Sequence, residues 1–93
     1  MVYTGQDIDY NLLPGHLRGG VREYIEHGHL PGHFLTAVIN NDLGNACSHA
    51  DETCRVRLFD IVSFFYNEAP SDCWGSPDLM RAWAHHSGLA GMN

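Results

Sequence analysis

Residues 55–70 read RVRLFDIVSFFYNEAP, and the reading of this stretch decides the fold. Val56, Leu58, Phe59, Ile61, Val62, Phe64, Phe65 and Tyr66 make it apolar on nearly every side. The polar remainder is a narrow line of Arg57, Asp60, Ser63 and Asn67, recurring every three to four residues. That period is helical, and so thin a polar stripe predicts a helix buried on most of its circumference. Arg57 and Asp60 read as a local ion pair, or as a buried subunit contact.

Signals on either side frame this helix. Asp51 is its expected cap, with Glu52 in the first turn and Pro70 beyond its end. A loop, Ser71-Asp72-Cys73-Trp74-Gly75, leads to a further helix. Its start is marked by Ser76 as cap, Pro77 at the first position and Asp78 in the first turn. Leu79, Met80 and Trp83 are expected to face inward, and Gly88 to stop it.

Upstream, a first helix is expected from about Pro14 to Gly28, burying Leu17, Val21, Tyr24 and Ile25. Gly19 and Gly20 sit inside it, each at a cost of about 1 kcal/mol relative to alanine. Either they loosen this helix or they let another helix approach closely, in the sharper version one from a second protomer, so both are oligomer-contact candidates. A second helix is expected from Pro31-Gly32 to about Ala50. Phe34, Leu35, Val38, Ile39, Leu43, Ala46 and Cys47 are its inward face. The opposite face carries Thr36, Asn40, Asn41 and Asn45, either a recognition surface or a neutral solvated one. Residues 1–12 lack a helical period and read as an arm on the domain or a neighbouring subunit, or as a frayed end. The expected architecture is all-α. It is a compact, oligomeric bundle of about four helices over residues 13–93, behind the 1–12 arm.

Composition narrows the function classes. The chain has 93 residues, 44% hydrophobic and 17% charged, which suits one folded domain with one core. No apolar run reaches the ~20 residues of a membrane span. The first residues lack the blocks of a signal peptide, so a cytoplasmic protein is expected. Cys47, Cys54 and Cys73 are odd in number and are expected to be reduced. Eleven acids against five arginines, with no lysine, give a net charge of −6. That argues against duplex nucleic acid as a partner. Seven histidines make the charge sensitive to pH near their ordinary range.

Short connections make neighbouring helices antiparallel and give the bundle two poles. One gathers His27, His29, His33, Asn67, Glu68, Cys73, Trp74 and Ser76. Two helix N-termini there suit an anion such as a nucleotide, with Trp74 as a stacking plane; alternatively Trp74 plugs the core and Ser76 only caps. The other pole gathers Cys47, His49, Cys54, His85 and His86, a weak candidate for zinc. Its bland reading is buried thiols acting as small hydrophobes. No nucleophile elbow, HExxH, phosphate loop or Rossmann fingerprint is present, and no enzyme or cofactor is expected.

Several runs are shared with a known pattern. Leu13-Pro14, His27-Gly28, Pro31-Gly32 followed by Phe34-Leu35-Thr36-Ala37-Val38, and Asn41-Asp42-Leu43 are four of them. Ala50-Asp51, Tyr66-Asn67-Glu68-Ala69-Pro70 and Cys73-Trp74-Gly75-Ser76-Pro77 complete it. From about Leu13 to Trp83 the chain resembles a family of small proteins encoded by bacteriophages and prophages. Cys47, His49 and Cys54 lie outside that pattern. The resemblance implies an accessory protein acting by binding inside the host cell. The leading expectation is a counter-defence inhibitor of a host defence or regulatory protein. The alternatives are a sponge for a nucleotide-type signal and a small zinc-stabilised structural protein.

Overall fold

A computed structural model describes residues 8–92, and within them the chain forms six α-helices, short 3-10 turns and no strand. The helices are α1 (Gly15–His27), α2 (His33–Ile39), α3 (Leu43–His49), α4 (Glu52–Val56), α5 (Leu58–Asn67) and α6 (Pro77–His85). The 3-10 turns are Tyr10–Leu12, Ser71–Cys73 and Gly88–Met92. Most of the expected arm, residues 1–7, lies outside the described residues. Its last part packs inward, with Ile8 and Tyr10 buried.

The ends of α1 and α6 follow their sequence signals. Gly28 is left-handed at φ 75°, and its N–H and that of His29 take the carbonyls of Tyr24 and Glu23. Ser76 Oγ accepts from Leu79 N at 3.2 Å, with Pro77 at the first helical position. Leu17, Val21, Tyr24 and Ile25 of α1, and Met80 and Trp83 of α6, are buried as expected. Leu79 is not; it lies at the surface.

Two expected helices are each broken in two. The expected 31–50 helix stops at Ile39, because Asn41 adopts φ 60° and Asp42 starts a new helix by accepting from Asn45 N. Asparagine tolerates the left-handed region and aspartate caps, so Asn40-Asn41-Asp42 is turn chemistry, not the middle of a helix. The expected 52–67 helix bends at Arg57, φ −103° and ψ 19°, which ends α4 and begins α5. A four-helix bundle becomes a set of six shorter helices.

The breaks change which residues are inside. In α5 only Ile61, Phe64 and Phe65 are buried, at the i, i+3, i+4 spacing of one packed face. Leu58 and Val62 are half-buried, and Phe59 and Tyr66 face solvent. The expectation that this segment is buried nearly all round is therefore corrected: one face is buried, Leu58 and Val62 pack at its edge, and Phe59 and Tyr66 lie outside it. Leu43 and Cys47, expected inside, are also exposed.

One core links the elements. Tyr24 hydroxyl donates to the Cys73 carbonyl at 2.6 Å, joining α1 to the loop before α6. Trp83 Nε1 donates to the carbonyls of Tyr24 and Ile25, both at 3.1 Å. Gly75 N donates to the Ile39 carbonyl at 2.7 Å, tying the same loop to the end of α2. The end of α1 also packs on the Gly88–Met92 turn, where the backbones of Gly28 and Gly88 meet. Gly19 and Gly20 mark no such approach: a methyl at Gly19 would meet nothing within 4 Å, and one at Gly20 only Leu35 Cδ1 at 3.6 Å.

Candidate functional site

The polar line of α5 becomes one wall of a groove. Arg57, Asp60, Ser63 and Asn67 line it with Asn11, Leu12 and Phe59, enclosing about 370 Å3. Arg57 Nη2 donates to the Leu12 carbonyl at 2.9 Å, and its Nε faces Asp60 Oδ2 at 3.4 Å. The pair lies at the surface, so the buried version of this contact does not hold within one chain.

Beside the groove stands an apolar face. Phe59 is 82% exposed and Tyr66 77%, seven residues apart and so on one side of α5. Val56, 80% exposed, precedes them at the end of α4, and Leu12 is 46% exposed across the groove. Toward α2 and α3 the face runs on through Leu58, Val62 and Trp74, which line a smaller cavity of about 120 Å3 with Leu43 and Asn41. The sequence marked all of these residues but Asn41 as apolar. It carried no sign that Phe59 and Tyr66 would face outward.

The residues of the expected His/Trp pole fall into separate surroundings. His29 Nδ1 lies 2.8 Å from Glu23 Oε2, with the His27 ring next to it. His33 stacks on His49, ring centroids 5.4 Å apart, although the two were assigned to opposite poles. These rings border a cleft of about 220 Å3 with Thr36, Asn40 and Asn45. Asn40 Oδ1 is buried there and has no hydrogen-bond partner among the described residues. Trp74 packs against Phe65 and Tyr66. Ser76 caps α6, and Glu68 Oε1 accepts from Asp9 N at 3.4 Å. Asn67 belongs to the α5 groove.

The four residues of the zinc reading are not brought together. Cys47 is exposed and His49 stacks on His33. His86 packs edge-on to Trp83, with Nδ1 3.1 Å from the Gly88 carbonyl. Cys54 instead meets His16 and Asp51, which sequence reasoning left out. His16 Nε2 is 3.0 Å from Asp51 Oδ2 and 3.6 Å from Cys54 Sγ. Asp51 Oδ1 accepts from Cys54 N at 2.7 Å as the cap of α4. That N–H, and then His16, hold the Asp51 carboxyl below its ordinary value. The Asp-x-x-Cys spacing was visible in the sequence; the approach of His16 from α1 was not.

Burial pushes the Cys54 thiol up to about 11, helped by Asp51, and the Cys73 thiol up to about 12. Both are therefore protonated near neutral pH and poor nucleophiles. A catalytic relay would also divide its bonds between the two ring nitrogens of a histidine, whereas here one nitrogen faces both groups. Iodoacetamide at about pH 8 is expected to modify native protein at Cys47 alone, and all three thiols after unfolding. Rapid labelling of Cys73 in the native state, read by peptide mass mapping, would contradict its burial.

Compared with protein-family models, curated proteins and solved structures, the chain matches none of them.

Proposed function

We propose that the protein acts by binding another protein through the outer face of α5, as a phage-type accessory protein directed at a host defence or regulatory protein. The observation that carries this is the exposure of Phe59, Tyr66 and Val56 on a folded, acidic chain. Large aromatic side chains bury about 150–250 Å2 each when covered. Two of them with Val56 and Leu12 approach the ~300–600 Å2 patches that mark interaction sites. The arrangement also has interface anatomy, with an apolar centre and a polar rim of Arg57, Asp60, Ser63 and Asn67. The occupant is a different protein rather than a second copy. Each copy carries −6, and like charge opposes self-association, whereas a neutral or basic partner meets no such penalty.

Phe59→Asp and Tyr66→Asp test the face. Neither side chain supports the core, so both variants should match the wild-type melting temperature or exceed it. Both should lose protection in a phage-plating assay and lose the host protein that co-purifies with wild type from infected cells. Full activity in the double variant sinks the proposal. Light scattering that shows a wild-type dimer, monomeric in Phe59→Asp, reassigns the face to self-association.

The sponge reading keeps one specific support, the unpartnered Asn40 Oδ1 in the His33–His49 cleft. A nucleobase amine would satisfy that oxygen. Native mass spectrometry of protein from infected cells separates the readings. A co-purified nucleotide lost in Asn40→Ala supports the sponge, and a stable host protein without nucleotide supports the inhibitor.

A further inference from the structure

The His16–Asp51–Cys54 cluster brings an imidazole nitrogen, a carboxylate and a thiol to one place at the surface of the core. A single nitrogen, His16 Nε2, faces the Asp51 carboxylate at 3.0 Å and the Cys54 sulfur at 3.6 Å. One metal ion would bind all three. The ligand atoms lie within 4.8 Å of one another, the one such group of three among the described residues.

We propose that Cys54 Sγ, His16 Nε2 and Asp51 Oδ2 form a three-ligand site for a zinc-class divalent cation, with a fourth position open to solvent.

Distances support the choice of ion. Tetrahedral zinc, with bonds of about 2.3 Å to sulfur and 2.0–2.1 Å to nitrogen, sets those two atoms roughly 3.5 Å apart. They are 3.6 Å apart here. The Nε2–Oδ2 distance of 3.0 Å needs only a few tenths of an ångström of opening. Thiolate and imidazole disfavour magnesium and calcium, which take oxygen ligands. The carboxylate is already aimed, because Oδ1 is held by the Cys54 N–H as the helix cap and Oδ2 is left for the ion. Such outer support is what orients ligands in metal sites. The side chains of His16 and Asp51 are 48% and 57% exposed, which leaves an entry path and the open position. Cys54 closes the inner side. Bound metal would tie the first turn of α1 to the start of α4. This site is independent of the α5 face.

Cobalt(II) reports the site directly. Metal-free protein titrated with cobalt is expected to take one equivalent. It should show thiolate-to-cobalt charge transfer in the near ultraviolet and intense visible bands of four-coordinate cobalt. Cys47→Ser keeps this spectrum. Cys54→Ser removes the charge-transfer band, and His16→Gln weakens binding by about 100-fold, at least the loss seen when a supporting residue is removed. Zinc should raise the melting temperature of wild type and not of His16→Gln. His16 is at the surface, so its variant remains decisive if Cys54→Ser does not fold. The proposal is overturned if wild type takes up no stoichiometric metal, if the band survives Cys54→Ser, or if it vanishes in Cys47→Ser.

Discussion

Replacing Trp83 with alanine is expected to bring the domain to the edge of unfolding. The indole is 1% exposed and is among the largest fully buried side chains. Its ring fills the space between α1 and α6, and its Nε1 bridges the Tyr24 and Ile25 carbonyls at 3.1 Å each. Removing a buried tryptophan costs about 3–5 kcal/mol. A domain of this length holds roughly 5–14 kcal/mol in total. Thermal melts should fall by about 12 °C or more. Trp83→Phe separates the two contributions: it keeps most of the ring and loses the donor, at about 1–2 kcal/mol. A Trp83→Ala melt within two or three degrees of wild type, about 0.5 kcal/mol, would mean that this core is not packed as described.

Gly88→Ala is expected to cost far more than the addition of one methyl group usually does. Gly88 sits at φ 64°, a region that costs a residue with a side chain about 1–2 kcal/mol. The larger problem is space. A methyl there would lie 2.6 Å from the Ile25 carbonyl oxygen and 2.7 Å from the Gly28 nitrogen. Both are backbone atoms at the end of α1, and neither can swing aside as a side-chain tip does. The Gly88–Met92 turn must lift off α1, exposing Leu89, which is now buried. Gly19→Ala is the control, since nothing lies within 4 Å of its new methyl and helix propensity predicts a gain of up to about 1 kcal/mol. Urea titrations in which Gly88→Ala and Gly19→Ala shift the midpoint alike would refute this account.

These effects follow from features of unequal legibility. The limits of α1 and α6 were readable because Gly28, Ser76 and Pro77 act within one turn of the residue they serve. The break after Ile39 was readable in principle. Asn40-Asn41-Asp42 carries the turn signal, but the apolar spacing on either side continues in phase and suggests one helix. The bend at Arg57 has no glycine or proline to announce it. Its only trace is the backbone of Arg57 itself, at φ −103° and ψ 19°. The outward turn of Phe59 and Tyr66 belongs to the same class. Hydrophobicity states what a side chain gains by burial, not whether the fold has a surface left to cover it. His16 joined Asp51 and Cys54 for a similar reason: residues 16 and 51 meet only once α1 has docked.

The meeting of Gly28 and Gly88 also sets an order of events during synthesis. Sixty residues separate the two glycines, and a ribosome adding about 5–20 residues per second needs roughly 3–12 s to cross that span. Until then the Tyr24 and Ile25 carbonyls have no indole to receive, and the last turn of α1 lacks the Gly88–Met92 turn that packs on it. The end of α1 therefore stays incompletely covered while residues 29–88 are being made, and it closes when Trp83 and Gly88 have both emerged.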